Sequence, residues 1–118
     1  MKRPTFYELL GMLLLLMVTV IPVARGVTLI VENNSETVNA NTTSPAALIA
    51  DPGPDGISLR EALLAILFVP GPHEVLFDPS LKGTTISLSN PLPLLPSQAT
   101  IDGDTDGDGA SDIMMTST

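Results

Sequence analysis

Cysteine is absent from this 118-residue chain, and so is tryptophan. The first absence excludes a disulfide framework and any thiolate-based zinc site. Three Phe and one Tyr are the only aromatic side chains, too few for a platform that stacks sugars or bases. The core must therefore be aliphatic. Positive charge is also scarce: five Lys and Arg stand against 13 acids, a formal net charge of −8. Beyond residue 26 the only bases are Arg60 and Lys82, facing 12 acids, so that part carries about −10. Such a surface repels phosphate backbones, which argues against nucleic acid as a partner and suits divalent cations or basic surfaces. A single histidine, His73, leaves no His-based metal cluster or catalytic pair, and its place beside Pro70-Gly71-Pro72 predicts a surface turn residue.

What the sequence does have begins at its N-terminus. Lys2 and Arg3 precede an apolar run from Leu9 to Val23, and Ala24-Arg25-Gly26 puts small residues at the −3 and −1 positions before Val27. This is the pattern of a signal peptide over residues 1–26, and the run is shorter than the roughly 20 residues that a membrane span needs. The expected location of the mature chain is secreted or at the cell surface, with membrane contact only through the signal peptide during export.

Residues 27–57 divide into a first strand and a polar loop. Val27-Thr-Leu-Ile-Val-Glu32 is β-branched and alternating. Residues 33–57 are rich in Asn, Thr, Ser, Pro and Gly, which predicts a long loop. Asn33-Asn-Ser and Asn41-Thr-Thr fit the N-glycosylation pattern, which also arises by chance in loops of this composition.

The clearest local signal is Asp55-Gly-Ile-Ser-Leu-Arg-Glu-Ala-Leu-Leu-Ala-Ile66. Ser58 and Glu61 have capping-box spacing, and Leu59, Ala62, Leu63, Ile66 and Leu67 recur on one helical face. A helix over about 58–68 is expected, ended by Pro70-Gly71-Pro72. Ser58 has no His/Asp partner at recognisable spacing, so it is a cap and not a nucleophile. Arg60 is expected to be solvated or paired with a nearby acid. Extended segments follow at 74–78, 84–89 and 99–102, with another starting at 112–115 and Met114-Met115 in its core. Pro91, Pro93 and Pro96 keep the intervening stretch out of a central ladder.

Asp102 to Asp112 is the one dense polar cluster. Asp104, Asp106, Asp108, Gly109 and Asp112 occupy positions 1, 3, 5, 6 and 9 of a calcium loop. Position 12 is Met115 and the incoming helix is missing, so this is not an EF-hand. Two readings stand: a looser Ca2+-binding turn held by Asp104, Asp106, Asp108 and Asp112, or a solvated Asp-Gly turn that closes a corner. No other cofactor and no catalytic residue is expected.

The succession Ile57-Ser-Leu-Arg-Glu-Ala62, Val75-Leu-Phe-Asp-Pro-Ser-Leu81, Thr85-Ile-Ser-Leu88, Leu92-Pro-Leu94 and Thr100-Ile-Asp-Gly-Asp104 resembles the start of right-handed parallel β-helix proteins of the pectin-lyase-like class. Within that class it is most similar to secreted and surface proteins that open with a Cys-Ser-Leu-Arg-Glu-Ala motif. The family's cysteine is Ile57 here, so no thiol role carries over. The resemblance implies a mainly β fold, the beginning of a parallel β-helix. Ser58, Leu59, Glu61, Leu63, Ile66 and Leu67 would form the helix that caps its first rung over residues 58–115, with 116–118 as a tail. Burying Leu59, Leu63, Ile66 and Leu67 would contribute on the order of 6–10 kcal/mol before entropy. Solenoids need about three or more repeats. The strands here supply one to two, which predicts an incomplete member whose C-terminal edge meets further β-helix rungs or a partner chain. The expected function is a non-enzymatic, adhesin-like cap. The alternatives are the leading segment of a β-helix polysaccharide lyase or glycoside hydrolase whose active site is absent here, and a small calcium-stabilised secreted module.

Overall fold

The computed structural model describes residues 26–118. The expected signal peptide, apart from Gly26, lies outside the described residues. Among those residues no helix is long and apolar enough to cross a membrane.

Strand β1 (Val27–Val31) alternates exposed and inward residues, and Leu29 and Val31 are buried. The segment expected to be loop contains a short helix, α1 (Pro45–Ala50). Ser44 caps it by accepting the N–H of Ala47 at 3.1 Å, and Pro45 takes the first helical position, where a missing N–H costs nothing. Helix α2 (Leu59–Ile66) follows, with both arms of the Ser58–Glu61 capping box formed. Leu59, Leu63 and Ile66 on its inner face are buried, while Leu67, at the C-cap, is only partly so. Helices α1 and α2 pack on one another and on β1.

The remaining strands are β2 (His73–Phe77), β3 (Thr85–Leu88), β4 (Ala99–Ile101) and β5 (Met114–Ser117), with a 3-10 turn at Pro79–Leu81. They form two parallel sheets, one in the order β1-β2-β4 and one pairing β3 with β5. The chain alternates between the sheets from β2 onward. Register aligns inward residues in columns: Leu29, Val75 and Ile101 in the first sheet, Ile86 and Met115 in the second.

This architecture corrects the expected fold class. The molecule is a small α/β fold of short parallel strands and two helices, and no β-helix solenoid is evident. The physical reason lies in the core. Of its 13 buried apolar residues, six (Leu48, Leu59, Ala62, Leu63, Ala65, Ile66) are on the helices and five (Leu29, Val31, Val75, Phe77, Ile86) on strands. The core is therefore shared between helices and strands, and is not an aliphatic column enclosed by strands alone.

Three local expectations change with it. His73 is not a surface turn residue but the first residue of β2, 5% exposed. Its Nε2 lies 2.9 Å from the Val69 carbonyl, and its Nδ1 is buried with no partner among the described residues. Met114 and Met115 are in a strand but 63% and 48% exposed, so they are not core. Strand β5 starts later than expected and runs through Ser117, into the stretch taken as a tail.

Candidate functional site

The two ends of this small stack differ. At the β1 end, α1 and α2 cover the sheet, and Glu32 N–H donates to the Ile57 carbonyl at 2.7 Å, tying the strand's exit to the entry of α2. The helix end is fixed by polar contacts as well. Glu61 is fully buried. Its Oε2 accepts the N–H of Ser58 at 2.9 Å, and its Oε1 accepts the N–H groups of Asn39 and Ala40 at 2.7 and 3.0 Å. The Ser58 hydroxyl donates to the Thr37 carbonyl at 3.0 Å while accepting the Glu61 N–H at 3.3 Å. One capping box therefore also clamps the long polar segment.

Arg60 faces a second clamp. Its guanidinium pairs with Glu36 and donates to the carbonyls of Asn90 and Pro91 at 2.7 and 2.8 Å. The other Glu36 oxygen accepts the Ser89 hydroxyl and N–H at 2.5 and 2.7 Å. The Ser89 donors, with Arg60 beside them, lower the Glu36 pKa from an ordinary 4.5 to about 2. Glu36 is a residue that sequence reasoning missed. The available signal was that Arg60, one of two bases past residue 26, needed an acid, and the polar segment holds few.

At the other end, β4 pairs only with β2 and β5 only with β3 among the described residues. In a parallel ladder, alternate residues bond to opposite neighbours. Asp102 N–H donates to Val75 and Gln98 accepts from His73, so Ala99 and Ile101 turn their backbone groups outward. Met114 N–H donates to Thr84 and Thr118 N–H to Leu88, so Met115 and Ser117 likewise face outward. Between these edges lies a cavity of about 560 Å³ with an apolar floor of Phe77, Ile101 and Met115. Asp102 and Asp104 stand at its rim.

The acidic loop joins β4 to β5. Carboxylate oxygens of Asp104, Asp106 and Asp108 lie within 4.8 Å of one another. Asp112, the fourth candidate ligand, is turned elsewhere: its Oδ2 accepts the Thr105 hydroxyl and N–H at 2.6 and 2.9 Å, and its Oδ1 lies 3.5 Å from Lys82 Nζ. Lys82 also pairs with Asp106. Asp104 accepts the N–H groups of Gly107 and Gly109 at 2.7 Å each. The Gly109 N–H is the largest influence holding the Asp104 carboxyl below its ordinary range. Gly107 and Gly109 have φ of +78° and +89°, which turns those N–H groups inward at no Cβ cost. The donors are hard oxygens suited to calcium, and three of them converge, while Asp112 does not join them.

No family model, curated protein or solved structure matches this chain.

Proposed function

We propose that the chain is a secreted or surface-exposed, non-enzymatic capping module of an adhesin-like protein. Helices α1 and α2 close one end of the fold by packing on β1. The observation that carries this reading is the difference between the two ends: α1 and α2, with buried Glu61, Leu59 and Leu63, pack on β1, although Thr28 and Ile30 also turn backbone groups outward there, whereas Ala99, Ile101, Met115 and Ser117 turn theirs outward at the other end. A cap needs one finished face and one unfinished one. The resemblance of residues 57–62 to the opening motif of secreted surface proteins supports the export part, as does the pattern of residues 1–26.

Two measurements test it. Amide hydrogen exchange should be slow at Leu29, Val75 and Ser58 and fast at Ala99, Ile101, Met115 and Ser117; equally slow exchange at the far edge would overturn the reading. Mass spectrometry of exported protein should find a chain starting at Val27; full retention of Met1 would overturn the export route.

A second reading, a small calcium-stabilised secreted module, is favoured by the convergence of Asp104, Asp106 and Asp108. Under it, millimolar calcium raises the thermal midpoint more than magnesium at equal ionic strength, and Asp108→Asn abolishes the difference. An unchanged midpoint retires it.

A further inference from the structure

We infer that the end of the fold at which β1, β2 and β4 begin seats on an uncharged, zwitterionic lipid bilayer, with Phe68 as the side chain that enters it. The inference rests on the export reading of residues 1–26 and goes beyond it, because the folded module itself makes the contact. Three observations carry it.

First, the place where the apolar run joins the fold is fixed. Val27, His73 and Ala99 stand side by side in register at the start of their strands. Gly26 lies hard against Pro72: a Cβ there would fall 2.2 Å from the Pro72 carbonyl oxygen. Gly71 in turn lies against the Gln98 carbonyl. The run Leu9–Val23 ends three residues before Gly26, a reach of at most about 10 Å. A bilayer that takes the run is therefore within reach of the loops leading into β2 and β4.

Second, those loops are apolar and open. Leu67, Phe68, Val69, Pro70 and Pro96 line a cavity of about 380 Å³, together with Gly71 and Gln98. Phe68 is 91% exposed, more than any other large hydrophobic residue among those described. A projecting aromatic ring leaves water for lipid favourably. The apolar run folded back on itself does not fit this place. As a helix it would be about 22 Å long and at least about 10 Å across, too large for the cavity.

Third, charge is missing here in a chain that is acidic elsewhere. Residues 62–72 and 83–101 contain no charged side chain, although 12 acids lie beyond residue 26. No charged residue lines the cavity. The five acids of Asp102–Asp112 follow β4, at the opposite end of that strand from Gln98. Seating this end on lipid therefore desolvates no lining carboxylate. The net charge of −8 disfavours an anionic surface, which leaves the zwitterionic one.

The test uses the full chain with phosphatidylcholine vesicles. The protein has no tryptophan, so Phe68→Trp introduces a single fluorescent reporter. Val38→Trp is its control, because Val38 is 47% exposed beside the other end of α2, where Asn39 meets Glu61. On vesicles, the reporter at position 68 should shift to the blue and be quenched by lipids brominated near the headgroup. The reporter at position 38 should do neither. Pro70→Trp, at another exposed position, repeats the reading should Phe68→Trp misfold. Adding Phe68→Asp to Pro70→Trp should remove most of the quenching.

Equal quenching at positions 68 and 38 would overturn the inference, since no particular end would then face lipid. So would a vesicle-bound chain in which neither is quenched; if exported protein still starts at Val27, the export reading survives that result. A blue shift at position 68 without vesicles, in monomeric protein, would make the run Leu9–Val23 the occupant and overturn the lipid seat. A chain that ignores vesicles altogether would sink the export reading and the inference together.

Discussion

The Glu61 carboxylate accepts the Asn39 N–H at 2.7 Å, across 22 residues of chain. A side chain that begins as part of a local helix cap thus also anchors the polar segment against the core. Three backbone donors depend on it, from Ser58, Asn39 and Ala40; Glu61 and Ser58 are fully buried, and the bonds to Asn39 and Ala40 are partly so. Glu61→Ala should therefore cost about 3–5 kcal/mol in urea unfolding. Glu61→Gln should cost less, because its amide oxygen still serves Asn39 and Ala40 while its NH2 opposes the Ser58 N–H.

Acid should loosen the second clamp. The folded pKa of Glu36, about 2, lies below its ordinary 4.5, so folding favours the ionised form. The resulting stabilisation is present above pH 4.5 and is lost as pH falls toward 2. Glu36→Gln should flatten the stability profile through that window, leaving wild type and variant closest at the acid end. The measurement is a series of thermal melts between neutral pH and pH 2.

The apolar face of α2 can be graded by substitution. Leu63 is 1% exposed and Phe68, just past the helix, is 91% exposed. Leu63→Ala should cost about 2–5 kcal/mol and Leu63→Asp should unfold the protein, whereas Phe68→Ser should stay within about 0.5 kcal/mol. Paired urea titrations check both.

The two asparagines of the glycosylation-like tripeptides should also separate. Asn33 donates its amide to the carbonyls of Asp55 and Gly56 at 3.0 Å each, and its Oδ1 accepts the Ser35 N–H and hydroxyl at 3.0 and 2.8 Å. Asn41 accepts only from Thr43, in an exposed turn. Asn33→Ala should cost about 1–2 kcal/mol and Asn41→Ala about 0.5 kcal/mol or less, read from thermal midpoints.

What the sequence makes legible is what is local. The α2 helix is written in Ser58, Glu61 and the leucine spacing, all within a dozen residues. Helix α1 is written more faintly. Ser44 and Pro45 are a cap and a first-turn proline, but in so polar a segment they also read as turn residues, and only Leu48 beyond them reaches the core. The fold class was not legible, because parallel pairing is decided between residues far apart. Nothing near His73 announces that it will lie beside Val27 on one side and Ala99 on the other, and so be buried. Met114 and Met115 are hydrophobic enough for a core, yet no strand lies beyond β5 to cover them among the described residues. The acidic loop was legible as a cluster, whereas the turning of Asp112 toward Thr105 and Lys82 depends on where β3 begins, just past Lys82.

The pairing of β1 with β2 bears on timing. Thr28 and Glu74 face one another over a gap of 46 residues, so β1 cannot complete its pairing with β2 until the chain has been made as far as Phe77. Until then, only short helices are available to it, and helices of that length hardly persist alone. A polypeptide that stays slack for so long remains easy to thread through a narrow channel.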